Sequence, residues 1–157
     1  MNNRNERKAT WLIILFTVIL AASAIGSVSG QSKLRQKQER LLDALIKVES
    51  NGNDKAIGDN GKAIGCLQIW KIYWQDAAVP GRNYSECLRD KDLSEQVVQR
   101  YMERYARSSL RRLQAGVGTL SDVARVARIH NGGPAGDRKQ ATVRYWNKVR
   151  SILGDER

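Results

Sequence analysis

Apolar residues recur at a helical spacing of three to four positions along most of the chain. The longest stretches with this spacing predict four helices, at residues 33–50, 92–105, 121–130 and 138–153. Shorter stretches predict brief helices at residues 71–77 and 110–113. Asp92 with Glu95 three residues later resembles a capping box, which would open the second long helix. Asn-Gly pairs follow the first and third long helices and predict where they end.

The segment between the first helix and residue 69 has a different pattern, with short apolar runs on either side of a turn. Asn60-Gly61 lies at its centre, and a type I′ turn needs positive φ at both central positions, which Asn and Gly tolerate. This segment therefore predicts a β-hairpin. The expected fold class is α+β, with about five helices around one small antiparallel hairpin or sheet.

The first thirty residues have the order of a targeting segment. Basic residues precede an apolar run at 11–20, and Ala22-Ser23-Ala24 then fits a cleavage site. We expect residues 1–30 to be a signal peptide, with an uncleaved N-terminal membrane anchor as the alternative. Either way the remaining residues 31–157 form one domain outside the cytoplasm, and a membrane is a partner only if the segment is uncleaved.

The charge of the chain restricts its partners. The 157 residues include 27 Lys and Arg against 16 Asp and Glu, which gives a formal net charge of +11. Without residues 1–30 the domain keeps a charge of +9. A charge of this size favours an anionic partner such as a cell-wall polymer, and secretion argues against nucleic acid.

Cysteine and histidine are scarce, and this limits the chemistry. One histidine, His130, and two cysteines, Cys66 and Cys87, cannot make a histidine-rich metal centre or a cysteine-based zinc site. We therefore expect no metal and no cofactor. An oxidising compartment favours a Cys66–Cys87 disulfide, and the alternative is two separate buried thiols.

Glu49 is the most informative acidic residue. It follows Leu42, Leu45 and Ile46 at spacings of seven, four and three, so a helix places it on their apolar face. Partial burial there would favour the protonated carboxyl group that a general acid needs. The alternative is a frayed helix end that leaves Glu49 in water.

Asp59 lies ten residues later, directly before the predicted turn. One buried and one solvated carboxyl group are what glycoside hydrolysis requires. Aspartate is also a common turn former, so this position alone does not establish a catalytic role.

Several aromatic residues and His130 could contact a sugar. Tyr73 and four others have faces that suit the apolar side of a pyranose ring, although most are expected in the core. The remaining four are Trp74, Tyr84, Tyr145 and Trp146. His130 ends a predicted helix, where it could be a donor at a cleft or a capping cation.

Together these motifs resemble the invertebrate-type lysozymes of the destabilase family. The resemblance covers about residues 41–149 and is carried by short segments at 48–52, 59–61, 68–69, 73–74, 101–106, 127–134 and 142–149. It implies a lysozyme-like fold with Glu49 as the general acid and Asp59 as the nucleophile or ion stabiliser. The chain departs from the animal members in having only two cysteines, and the stretch from Asp59 to Gln68 is one residue shorter.

A weaker similarity links Glu49-Ser50 and residues 63–69 to the lytic transglycosylases, in which one catalytic glutamate suffices.

The expected function is cleavage of the β-1,4 bonds of bacterial peptidoglycan by a secreted monomer. The residues expected to bind substrate are Ser50, Gln68, Tyr73, His130, Asn131 and Gly132. Three alternatives remain: a lytic transglycosylase, an isopeptidase of the destabilase kind, and a non-enzymatic cationic binder of cell walls.

Overall fold

The computed structural model describes residues 40–154 of the chain. The predicted signal peptide or anchor at residues 1–30 lies outside this described part. None of the helices between residues 40 and 154 is both long and apolar enough to cross a membrane.

Helices dominate the described residues, and a small sheet follows the first of them. The α-helices are α1 (40–50), α2 (Lys71–Ala77), α3 (Lys91–Tyr105), α4 (Arg107–Gln114), α5 (Leu120–Gly132) and α6 (Val143–Leu153). The strands are β1 (Ile57–Gly58), β2 (Ala63–Ile64) and β3 (Ile69–Trp70). Short 3₁₀ turns lie at Asp59–Gly61, Tyr84–Cys87, Gly136–Arg138 and Gln140–Thr142. The predicted α+β class is confirmed.

The sheet contains the expected hairpin and one further strand. β2 pairs antiparallel with both β1 and β3, in the order β1-β2-β3. Asn60 and Gly61 have φ values of 54° and 87°, as the turn prediction required. The third strand was not predicted, because a two-residue strand carries no detectable alternation.

Helix caps differ from the prediction at α3. The side chain of Asp90, not Asp92, accepts a 2.8 Å hydrogen bond from the Leu93 backbone N–H. Arg82 forms a 2.6 Å ion pair with the Asp90 carboxylate and helps to hold it at the start of the helix. Asp92 lies in the first turn of α3.

The last helix is shorter than predicted. α6 begins at Val143, and two 3₁₀ turns occupy the residues before it. The backbone of Gly136 packs so closely that an added Cβ would lie 2.0 Å from the Arg128 carbonyl oxygen. The Thr142 hydroxyl lies 2.7 Å and 2.8 Å from the carbonyl oxygens of Gly136 and Lys139, and these contacts hold residues 136–142 in turns.

Cys66 and Cys87 are both buried free thiols, so the expected disulfide is not formed and the alternative of two thiols is observed. The hydroxyl of Ser94 lies beside them and donates a 3.2 Å hydrogen bond to the Cys87 carbonyl oxygen. Burial is the main cause that raises the pKa of Cys66, and it raises that of Cys87 to about 11. Both sulfur atoms are therefore neutral thiols that pack as small apolar groups.

Candidate active site

Glu49 lies in the last turn of α1, at the edge of the core. Leu45 and Ile46 on the same helical face are buried, and the Glu49 side chain is 17% exposed. Asn51 and Gly52 adopt positive φ and end the helix directly afterwards. The predicted position of Glu49 on an apolar stripe is confirmed, and most of its side chain is covered by neighbouring residues.

Side chains from α5 and α6 lie beside the Glu49 carboxyl group, and one from α2 lies behind them. His130 of α5 places Nε2 3.4 Å from Glu49 Oε1. Its other ring nitrogen, Nδ1, lies 3.2 Å from the hydroxyl of Tyr73 in α2. Tyr145 of α6 is buried close to Glu49, and its ring centroid is 6.4 Å from that of His130.

The two tyrosines beside this group keep their hydroxyl protons. Burial is the main cause that raises the pKa of Tyr73 and of Tyr145 well above the usual range, and the charge of Glu49 adds to both shifts. The Tyr145 hydroxyl has no hydrogen-bond partner among the described residues. The Glu49 carboxyl group is nevertheless close enough for a hydrogen-bonding interaction to contribute to the raised pKa of Tyr145.

Tyr73 is a core residue. It is 8% exposed, and its ring stacks on Tyr101 with centroids 3.6 Å apart. A sugar cannot reach a face that another ring covers, so the alternative of a core position is the one observed for Tyr73. His130 is buried as well, with 3% of its side chain exposed.

Asp59 has a different environment. It lies in the exposed turn between β1 and β2 with φ of 48°, and its Oδ2 accepts a 3.1 Å hydrogen bond from Trp70 Nε1. Trp70 is 42% exposed, and Lys62 Nζ lies 5.8 Å from its ring centroid. Trp70 was missed by the sequence analysis. The two-residue strand that carries Trp70 is too short to show an alternating pattern, so no local signal indicated this contact with Asp59.

Gln68 supports the sheet that carries Asp59. Its backbone has φ of 47°, and its Nε2 donates a 2.9 Å hydrogen bond to the Gly65 carbonyl oxygen. The side chain passes so close to Gly58 that an added Cβ there would lie 2.1 Å from Gln68 Oε1. Gln68 thus fixes β1 against the loop before β3, and a contact between Gln68 and substrate stays a prediction.

The other predicted binding residues lie at the ends of α1 and α5. Ser50 Oγ donates a 3.4 Å hydrogen bond to the Ile46 carbonyl oxygen, and Asn131 is exposed. Gly132 is partly exposed, and its carbonyl oxygen accepts a 2.6 Å bond from Lys139 Nζ. Substrate binding by these residues also stays a prediction.

The arrangement provides two carboxyl groups in unlike surroundings. Glu49 is enclosed by the core, His130 and Tyr145, whereas Asp59 is exposed and bonded to Trp70. Unlike environments are how two carboxyl groups come to have different roles as acid and as charged partner. In residues 40–154 no group of three or more His, Cys, Asp or Glu side chains is placed to hold a metal ion.

Comparison with known proteins identifies the class and then the family. A lysozyme of Magallana gigas is 40% identical over 85 residues, covering 54% of this chain and 56% of that protein. An invertebrate-type lysozyme of Ruditapes philippinarum is 35% identical over 120 residues, covering 74% of this chain and 82% of that protein. The solved lysozyme of Tapes japonica superposes with a TM-score of 0.60 at 32% identity, covering 74% of this chain and 91% of that one.

The fold and these relatives define a lysozyme-like hydrolase. The Destabilase family model matches residues 38–152, so the chain belongs to the Destabilase family. The resemblance drawn from the motifs is confirmed. The matched part of the Magallana gigas protein is a little over half of its length.

Proposed function

We propose that this chain hydrolyses the β-1,4 glycosidic bonds of bacterial peptidoglycan, with Glu49 as general acid and Asp59 as nucleophile or ion stabiliser. The supporting observation is the contrast between these two carboxyl groups. Glu49 is 17% exposed on an apolar helix face, whereas Asp59 lies on an exposed turn. Glycosidases need one carboxyl group that holds a proton and one that carries charge.

In the proposed mechanism Glu49 donates its proton to the glycosidic oxygen as the bond to C1 breaks. Asp59 either attacks C1 or stabilises the oxocarbenium ion, and a retaining enzyme of this kind holds its two carboxyl groups about 5 Å apart. Water then adds at C1, and Glu49 takes up the proton that this water loses. The net reaction adds one water across the bond and leaves a reducing end.

Trp70 is proposed to hold the Asp59 side chain in place. Its Nε1–H bonds Oδ2, so one oxygen is occupied and the carboxylate keeps one orientation. The cleft is proposed to be completed by Ser50, Gln68, Asn131 and Gly132.

The positive charge supports a polyanionic substrate. We propose that the domain is a secreted monomer whose charge of +9 speeds its encounter with the cell wall. α4 contributes to this surface, because Arg107 and Arg111 are exposed on it while Leu110 and Leu113 are buried.

The geometry around His130 disfavours an isopeptidase reaction. A histidine that activates a Ser or Cys nucleophile needs a free ring nitrogen facing that nucleophile. Here Nδ1 bonds Tyr73 and Nε2 faces Glu49, and the ring is buried.

The test is analysis by mass spectrometry of peptidoglycan digested by the wild type, Glu49→Gln and Asp59→Asn. The proposal expects reducing ends from the wild type and at least a hundredfold loss of rate in each variant. Glu103→Gln makes the same change on the exposed face of α3 and should leave the rate unchanged.

Other products would reject parts of the proposal. Anhydro-sugar ends with an active Asp59→Asn variant would indicate a lytic transglycosylase. Undiminished killing of bacteria by Glu49→Gln would indicate a cationic binder. Cleavage of the isopeptide bond in a Gln–Lys cross-linked substrate would indicate an isopeptidase.

A further inference from the structure

Two polar side chains, His130 and Tyr73, lie one behind the other between Glu49 and the core. The Tyr73 hydroxyl and His130 Nδ1 form a 3.2 Å hydrogen bond, and on the other side of the ring His130 Nε2 lies 3.4 Å from Glu49 Oε1. Tyr73 and His130 are both buried, so water is not available to replace either partner. In such a buried arrangement, the partners of the His130 ring determine which of its two nitrogens carries the proton.

The direction of the first bond follows from the surroundings of Tyr73. Its hydroxyl keeps its proton, because burial raises its pKa well above the usual range. Among the described residues, this hydroxyl hydrogen-bonds with His130 Nδ1. A buried hydroxyl proton without an acceptor is costly, so Tyr73 donates and Nδ1 accepts.

We infer that Tyr73 fixes His130 as the neutral tautomer with its proton on Nε2, and that this N–H positions Glu49 for catalysis. Neutral imidazole has one donor and one acceptor nitrogen, so an acceptor at Nδ1 requires a donor at Nε2. That donor faces Glu49 Oε1 at 3.4 Å. The separation is slightly longer than an ordinary hydrogen bond, and such contacts tighten when substrate binds.

This role determines which oxygen of Glu49 carries the acidic proton. An oxygen that accepts from His130 is the carbonyl oxygen of the protonated acid, so the proton lies on Oε2. After Oε2 gives up its proton, the same N–H stabilises the carboxylate. His130 and Tyr73 are thus positioning residues for the acid, and direct contact of either residue with substrate stays a prediction. This inference rests on the proposed role of Glu49.

The tautomer is measurable without any activity assay. The chain has one histidine, so nitrogen-15 labelling of histidine gives the signals of a single imidazole. We expect the folded wild type near pH 7 to show a protonated Nε2 and an unprotonated Nδ1. The opposite tautomer, or a doubly protonated ring, would overturn the inference.

Tyr73→Phe removes the donor while keeping the ring, and should convert the single tautomer into a mixture. Tyr101→Phe is the matched control, because Tyr101 lies on the same aromatic stack while Tyr73 is the hydroxyl that bonds Nδ1. An unchanged imidazole spectrum in Tyr73→Phe would also overturn the inference.

Kinetics separate positioning from sugar binding. His130→Gln keeps an N–H donor near the place of Nε2, whereas the shorter amide of His130→Asn does not reach Glu49. We expect His130→Asn to lower kcat about tenfold to a hundredfold with KM within about twofold, and His130→Gln to recover most of kcat. A raised KM with unchanged kcat, or equal losses in both variants, would overturn the positioning role.

These outcomes are distinct from failure of the proposed function. If Glu49→Gln stays active, the general-acid proposal fails whatever the spectrum shows. If Glu49→Gln is inactive but the wild-type ring is protonated at Nδ1, the inference about Tyr73 and His130 fails and the general-acid proposal stands.

Discussion

Removal of the Asp122 carboxylate should destabilise the domain by loosening the start of α5, the helix that carries His130 at its far end. Asp122 is buried, with 5% of its side chain exposed. It accepts hydrogen bonds from Arg112 Nε at 3.0 Å and from the Thr119 backbone N–H at 3.0 Å. The Thr119 hydroxyl in turn caps the helix by accepting from the Asp122 backbone N–H at 3.4 Å.

Two contributions set the magnitude for Asp122→Ala. Loss of one half of a capping box costs about 1 kcal/mol. Loss of the charged bonds made by the buried carboxylate adds about 1 kcal/mol, a low value because Arg112 is 48% exposed and hydrates well when released. We expect the free energy of unfolding to fall by about 2 kcal/mol.

The size of this effect should depend on pH. The hydrogen bonds from Arg112, followed by the one from Thr119, hold the pKa of Asp122 well below its usual range. A lowered pKa in the folded state means that the carboxylate stabilises the fold above the unfolded pKa of about 3.9. That stabilisation is lost as the pH falls through the lower pKa of the folded state.

Urea denaturation followed by circular dichroism measures this directly. The wild type and Asp122→Ala should differ in midpoint by about 1 M urea at pH 6, and by progressively less from pH 4 to pH 2. Asp92→Ala is the control, because Asp92 is exposed in the first turn of α3 and should shift the midpoint little. An equal shift for both variants, or a shift that does not change with pH, would refute the reasoning.

Three further predictions concern the site, the thiols and the surface charge. Trp70→Phe keeps the aromatic face but loses the hydrogen bond to Asp59. We expect kcat to fall about tenfold with little change in KM, and an unaltered kcat would reject the orienting role of Trp70. A thiol reagent at pH 8 should label neither Cys66 nor Cys87 in the native protein and both after unfolding in guanidinium chloride; no labelling after unfolding would show a disulfide. Lysis of cell walls should slow as salt rises above about 0.15 M, where the screening length drops below about 8 Å, and a flat salt profile would count against electrostatic steering.

The sequence predicts the local features that depend on a few neighbouring residues. The bounds of α2 match the prediction, and the end of α1 falls at the expected Asn-Gly pair. The burial of Glu49 follows from helical periodicity, because residues three and four positions apart share a face.

Features that depend on contacts between distant segments were not predictable in this way. Periodicity places Glu49 on a face but does not say that His130 lies opposite it, 81 positions further along the chain. The cap of α3 was assigned to Asp92 because nothing local reveals the ion pair between Arg82 and Asp90. The disulfide expectation failed for a similar reason, since the compartment of a protein does not determine how two buried sulfur atoms pack.

The role of Glu49 is tested most directly by the rate at which Glu49→Gln releases reducing ends from purified peptidoglycan. The variant keeps the size of the side chain and a polar contact for His130, so circular dichroism should match the wild type. Our account predicts a loss of rate of at least about a hundredfold, because the amide cannot donate the proton to the leaving oxygen. A folded Glu49→Gln protein that releases reducing ends at the wild-type rate would contradict it.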